Sequence, residues 1–327
     1  ADVVSRIERA GAGELQALHE AIVRQIRTML EKLCERSHKE KKIQRLAVAG
    51  NTVMCHLFVG ISPKAIGVAP FMPEELFGKE YTGSSVGIDC CEIVNILPCV
   101  AGYVGSDITA DVLAAVPEDE GQWLLLDIGT NGEMLLGNAR DGYVCCATAA
   151  GPAFEGAEIT MGMSAADGAI ASVTCEDYQL SVGTIGEKEA VGICGSGLLD
   201  ALAVFLESGL MDESGMLMEA EEVPEELRRY VGTYMGQACV WLTEKVCVTQ
   251  EDVRNLQLAK AAIAAGIEIL LKEKVFAYKD VTGVWLAGGF GSFLNKESAA
   301  KIGLIPKELL AVTEAVGNAA GEGAVFA

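Results

Sequence analysis

No apolar run in this sequence approaches the roughly 20 residues that span a bilayer, and its opening, ADVVSRIERA, lacks the apolar core of a secretion signal. Neither membrane insertion nor export is expected. Positive charge is scarce, with 25 Lys and Arg against 46 Asp and Glu for a formal charge of −21. Such a surface repels phosphate backbones and anionic lipid, so nucleic acid and membrane are not expected partners. Histidine is nearly absent, and His19, His38 and His56 are too scattered to suggest a metal site. There are 11 cysteines, yet no two are spaced as CxxC. An odd number in so long a chain does not read as a disulfide framework, so reduced thiols and a cytoplasmic setting are expected, with no iron–sulfur or zinc site on this chain. Proline is rare as well, 8 residues against 37 glycines, which favours tight backbone turns inside an ordered fold.

What is present forms a core: 50% of the residues are hydrophobic, and a chain of 327 residues is expected to divide into two packed lobes. From Gly13 to Lys42, Leu15, Leu18, Ile22, Ile26, Met29 and Leu33 recur at three- and four-residue steps, the stripe of an amphipathic helix. IQRLAVAGN, 43–51, reads as a buried strand and turn, EIVNILP as a second strand, and 107–116 as a helix. The polar PEDEGQ, 117–122, is the candidate junction between lobes. WLLLDIGTNGEMLLGN then predicts a β-hairpin with a glycine-bearing turn, and YVCCATA a third strand in which Cys145 and Cys146 are core residues. ICGSGLLDALAVFLESGL opens a helix through a glycine turn, and the acidic, methionine-rich stretch from Met211 to Glu226 reads as an exposed connector. Thr249 and Asp252 form a capping box for a long helix carrying Val253, Leu256, Ile263, Ile267 and Leu270 on one side. VTGVWLAGGFGSF is a strand running into Gly288, Gly289 and Gly291.

The chemistry concentrates in glycine turns at strand ends: DIGTNGE at 127–133, AGGFG at 287–291 and GNAAGEG at 317–323. Glycine lets backbone N–H groups approach an anion, and neighbouring Thr or Asn adds donors. Asp127, leading such a turn, suits a magnesium ion beside phosphates. Taken singly, a glycine hairpin is most often only a hairpin, and a glycine pair after a strand is most often close packing. No GxxxxGK(S/T) and no strand-borne GxGxxG occurs, so a P-loop and a dinucleotide fingerprint are both excluded.

In their order, these runs resemble the actin-like ATPases, the superfamily of sugar kinases, acetate kinase and heat-shock chaperones. DIGTNGE is similar to the second phosphate motif, VWLAGGFGSF to the adenosine motif, 105–116 to the first connecting helix and VGNAAGEGA to the second. More specifically, AGNT, DIGTNGE, TAAGPAFEGA, GICGSG, LAGGFG and GNAAGEGA, at 49–52, 127–133, 148–157, 192–197, 286–291 and 317–324, resemble the reductive activators of corrinoid-dependent methyltransferases. The resemblance implies an α/β, two-lobed actin-like (ribonuclease H-like) fold with mixed sheets flanked by helices. The first lobe would take 1–118 with 316–327 returning to it, and the second 119–315. It implies ATP and Mg²⁺ as cofactors, a corrinoid protein as partner, and ATP-dependent return of that corrinoid to the cob(I) state. Gly129, Thr130, Asn131 and Gly132 would bind phosphate, Asp127 would hold Mg²⁺, and Gly288, Gly289 and Gly291 would admit adenosine. Asp107 and Glu133 are the catalytic candidates for orienting water, each equally readable as a helix N-terminal acid or a hairpin-edge charge. Gly195 with Ser196, and Phe154 with Glu155, are secondary candidates for the cleft, read equally well as a turn and as packing.

Members of that family begin with a 2Fe–2S domain, and their ATPase region opens with a first phosphate hairpin of the type DIGTTT. This sequence opens at ADVVSRIE without either. The expectation is therefore that electron delivery belongs to residues outside this chain, that ATP hydrolysis by the chain alone is weak or absent, and that an exposed strand edge favours a homodimer. A small-molecule kinase of the same superfamily and a non-hydrolysing scaffold that grips a corrinoid protein are the alternatives. Calorimetric titration of the chain with Mg-ADP tests the first expectation: affinity weaker than micromolar is predicted, and submicromolar binding would contradict it.

Overall fold

Repeating apolar steps wind the N-terminal stretch into helices α1 (Val3–Arg9) and α2 (Leu15–Ser37), joined by a π-helical turn, Ala10–Glu14, in which Gly13 leaves helical geometry at φ 100°. The computed structural model describes residues 3–37, 43–129, 131–291 and 293–327. They fall into two compact units, Ala1–Pro117 with Asn318–Ala327, and Glu118–Gly317. In the first unit follow β1 (Ile43–Val48), α3 (Thr52–Val59), β2 (Lys79–Thr82), β3 (Cys91–Ile96) and α4 (Ser106–Ala115). The strands form one sheet in the order β1–β3–β2, β1 parallel and β2 antiparallel to β3. Four of the six stripe residues read from sequence, Leu15, Leu18, Ile22 and Ile26, pack against the core beside the buried Val23 and Leu30, whereas Met29 and Leu33 are 56% and 58% exposed. The reason is the neighbour. α2 packs against α3, whose buried Val53, Leu57 and Phe58 share clusters with the covered part of the stripe.

The AGNT run is structural in this unit. Asn51 caps α3, its side-chain oxygen accepting the Met54 N–H at 2.9 Å, while Thr52 Oγ1 donates to Ala101 O at 2.5 Å and Ser106 Oγ to Gly50 O at 3.0 Å, so the starts of α3 and α4 are tied together. His56 is buried beneath them, with Nδ1 2.7 Å from Thr52 O and Nε2 accepting the Glu75 N–H at 3.2 Å.

The second unit contains β4 (Trp123–Ile128), β5 (Gly132–Asn138), β6 (Gly142–Thr148), β7 (Ala169–Glu176), β8 (Gln179–Thr184), β9 (Gly192–Ile193) and α5 (Gly195–Ser208). It continues with β10 (Val231–Tyr234), β11 (Gln237–Trp241), β12 (Cys247–Thr249), α6 (Gln250–Lys274), β13 (Gly283–Ala287), α7 (Gly288–Gly291), α8 (Lys296–Lys301) and β14 (Thr313–Gly317). Its main sheet is mixed, in the order β14–β13–β4–β5–β6, with β4, β5 and β6 a meander and β13 and β14 added in parallel. Two smaller sheets, β8–β7–β9 and β10–β11–β12, complete it. Leu124, Leu126, Ile128, Met134 and Leu136 share one face of the main sheet and one core with Ile263, Ile267 and Leu270 of α6. The capping box at the head of α6 is formed: Thr249 accepts the Asp252 N–H and Asp252 accepts the Thr249 N–H.

The stretch 211–226 is not an exposed connector. Met211, Leu217 and Val223 are buried in the core, because apolar residues among its acids anchor it and a turn around Asp212 folds it back. After β14 the chain returns to the first unit as α9 (Ala319–Phe326), which packs along α4 so closely that a Cβ on Gly323 would lie 1.9 Å from Ala110 O. Among the described residues, no helix is long and apolar enough to cross a membrane.

Two outcomes follow from these contacts. Replacing Thr249 with Ala is expected to cost about 1 kcal/mol of stability, the size of a lost N-cap, seen as a lower urea midpoint. Burial pushes the His56 imidazole below its ordinary value, against smaller opposing contributions from the Thr52 carbonyl and nearby glutamates. The unfolded chain therefore binds the extra proton first. Stability is fully present above the usual histidine range and falls as pH drops through about 6.5 and lower. His56→Gln should flatten that acid limb in urea titrations between pH 7 and pH 5.

Candidate functional site

The DIGTNG segment closes the hairpin between β4 and β5. Asp127 pairs with Glu133 and Ile128 with Gly132, which leaves residues 129–131 as the turn, and the Gly129 N–H donates to Asn131 O at 3.0 Å. Thr130 lies outside the described residues. Because Leu126, Ile128 and Met134 point into the α6 core, the alternation of the strands puts Asp127 and Glu133 together on the opposite face. Directly opposed residues have Cβ atoms about 5 Å apart, and like charges there repel. Glu133 is 4% exposed and Asp127 half-buried, so water screens the pair poorly. A divalent cation would relieve the repulsion.

β13 runs beside β4 and pairs Ala287 with Asp127, which carries Gly288 up to the same carboxylate. Gly288 has φ 88°, and a Cβ there would stand 2.4 Å from Asp127 Oδ1, so only glycine fits without displacing the acid.

Alongside lies a cavity of about 310 Å³ within the second unit. Its walls come from four glycine-bearing turns that are distant in sequence, Gly129 after β4, Phe154 and Glu155 in the Pro152–Glu155 turn, Ser196 at the start of α5 and Gly289 of α7, and from the loop at Met163. The Phe154 and Phe290 rings lie 4.7 Å apart at 31° and form its apolar wall. α5 enters this space without a cap: Cys194 makes no side-chain capping bond, and the first turn carries no acid. The leading N–H groups of a helix have no partner within it. An anion in the cavity would meet them together with the positive end of the helix dipole.

The structure sorts the sequence candidates. Gly129 and Gly289 line the cavity, as do Phe154, Glu155, Gly195 and Ser196. Asp127, Glu133 and Gly288 stand together beside it on β4, β5 and α7, and Asn131 is half-buried at the hairpin tip. Gly132 and Gly291 serve packing: a Cβ on Gly132 would strike Ile263 Cδ1 at 2.2 Å, and Gly291 is buried on the Leu286 backbone. Asp107 belongs to the first unit, in the first turn of α4, where its carboxylate accepts the Ile108 N–H at 3.1 Å. Sequence reasoning did not single out Met163, which also lines the cavity, while Cys194 and Phe293 lay within the GICGSG and VWLAGGFGSF runs without being named. Phe290 lay within AGGFG as a signal, whereas Met163 sits in a loop with no pattern of its own.

Among the described residues no group of three or more His, Cys, Asp and Glu could hold a metal. Magnesium does not require one, since it commonly keeps its waters and takes one or two carboxylates plus substrate phosphates. Asp127 with Glu133 matches that donor set. An iron–sulfur cluster finds no ligand set among the described residues, where every cysteine is free.

Asp200, buried on α5, is pushed above the usual carboxylate range by burial, partly opposed by hydrogen bonds from Ser298 and the Val173 backbone. Its contribution to stability is present below the unfolded value and lost as pH rises through the folded one. At pH 7 the ionised side chain is a liability, and Asp200→Asn should raise the urea midpoint there but not at pH 3.

Comparison with known proteins agrees across the whole chain. Residues 1–117 match the model of the RACo middle region, and 122–327 that of the C-terminal domain of RACo, the ASKHA domain. The corrinoid activation enzyme RamQ of Eubacterium limosum is 35% identical over 338 residues, covering 99% of this chain and 57% of its own. A reductase of the Co(II) methylated amine-specific corrinoid protein from Methanosarcina barkeri is 27% identical over 332 residues, covering 88% and 56%. The solved structure of a reductive activator for corrinoid, iron-sulfur protein superposes with a TM-score of 0.88 at 36% identity, over 99% of this chain and 53% of that one. The chain thus spans about half the length of the relatives it matches.

Proposed function

The chain belongs to the RACo family, as its middle region and its C-terminal ASKHA domain, and from that premise we propose that it is the nucleotide-handling part of an activator that returns a Co(II) corrinoid on a partner protein to the cob(I) state. The names of its relatives, a corrinoid activation enzyme and a Co(II) corrinoid protein reductase, support the substrate class. The observation that carries the nucleotide reading is the uncapped start of α5 opening into a cavity shared with Gly129 and Gly289. Backbone N–H groups at that helix start and at the hairpin turn take the phosphates, and the Phe154–Phe290 wall takes the apolar face of the base. Asp127 and Glu133 hold Mg²⁺ on the face of the hairpin away from α6. Bound Mg-ATP supplies the free energy that an uphill one-electron reduction of cobalt requires. The electron itself comes from an iron–sulfur donor outside these residues.

The test is anaerobic cobalt spectroscopy with the full-length protein and its corrinoid partner. Cob(I) is expected only when ATP is present, and ATP-independent reduction at the same rate would overturn the coupling. Gly288→Ala, which forces a methyl against Asp127, should weaken Mg-ATP binding at least tenfold with an unchanged far-ultraviolet circular dichroism spectrum. Phosphate release that rises with the corrinoid protein, and not with small sugars or carboxylates, separates this reading from a small-molecule kinase.

A further inference from the structure

A second cavity, of about 360 Å³, lies in the same unit away from all of the glycine turns. Its floor is apolar, made by Leu202 and Leu206 on α5, Leu256 on α6 and Ile305 after α8. Two lysines line the same space, one half-buried and one exposed. Lys260, half-buried on α6, donates from Nζ to Ile302 O at 2.5 Å, at the C-terminal end of α8, and makes no ion pair. Lys307 lines the same space and forms neither a hydrogen bond nor an ion pair with any described residue.

Neither lysine has an acid partner among the described residues. The nearest acids do not supply the missing charge. Asp212 is held by its own turn, its carboxylate accepting the Ser214 N–H at 2.9 Å, Ser214 Oγ–H at 2.7 Å and the Met216 N–H at 2.8 Å. Those donors keep it below the usual carboxylate range. Glu213 is exposed at the mouth and reaches neither ammonium, while the third lysine of the wall, Lys301, is already paired with Glu207.

We infer that this cavity is a binding site for a small carboxylate with an aliphatic body, the carboxylate between Lys260 and Lys307 and the chain on Leu202, Leu206, Leu256 and Ile305. The chemistry follows from the walls. An apolar floor returns roughly 25 cal/mol per Å² of covered aliphatic surface, and an ammonium held on a neutral carbonyl keeps donors for a charge-assisted bond that an alcohol cannot match. The volume lies in the range of small-molecule sites. Neither the proposed nucleotide cavity nor the Asp127–Glu133 pair takes part, so this site stands or falls separately from the ATP reading.

The probe is octanoate, titrated into the full-length protein by calorimetry, with octanol and octylamine as uncharged and cationic controls. One saturable site for octanoate is expected, with octanol about tenfold weaker, the difference one charge-assisted hydrogen bond makes, and no binding of octylamine. Lys260→Gln and the surface change Lys307→Gln should each weaken octanoate about tenfold. The second variant leaves the fold untouched and keeps the test valid if the first is unstable. Absence of saturable binding up to about 10 mM, a weak limit for any specific small-molecule site, would overturn the inference. So would octanol binding as tightly as octanoate, or wild-type affinity in Lys307→Gln.

Discussion

The position of the site depends on one close approach, that of α6 to β5. Gly132 leaves room for Ile263 Cδ1, and Gly266 on the helix leaves room for the Met134 methyl, so strand and helix interlock at two small residues facing two large ones. Ridges and grooves of this kind set the distance between elements far more firmly than burial alone. The capping box at Thr249 fixes where α6 begins, and Thr160 joins it, its N–H donating to Asp252 Oδ1 at 2.7 Å. Hairpin height, and with it the place of Asp127, Glu133 and the turn, is therefore set by apolar packing on the other face of the sheet.

The opposite face of the same sheet carries the candidate residues. Two carboxylates stand opposed and poorly hydrated, and a helix start opens into a cavity with no capping side chain. Both features lie among the residues proposed above to hold a magnesium nucleotide.

Within the actin-like ASKHA fold this unit is an α/β layer built on a meander extended by two parallel strands, and the parallel additions are what bring the AGGFG turn to the end of β4. Strands paired in parallel end on the same edge of a sheet, so the glycines after β13 must lie near the turn after β4. The α5 start reaches that edge from an inserted sheet. Distant runs of sequence meet there because the strand order brings them together.

Much was written in the residues themselves. The DIGTNG hairpin, the capping box at Thr249, the strand before Gly288 and the whole family resemblance rest on local rules: a glycine turn between apolar alternations, a Thr and Asp three apart, and motifs in fixed order. Tertiary structure alone decided the rest. How far the α2 stripe is covered depended on α3, the acidic stretch after Met211 was drawn in by three apolar anchors, and Gly132 and Gly291 make close packing contacts that no turn motif announces. The cavity belongs to this second class, since four turns and one loop far apart in the chain make it and no one of them contains it. Local pattern determines what an element is, because neighbouring backbone and side chains act over a few residues. What that element faces is determined by partners that the chain brings near only once it has folded.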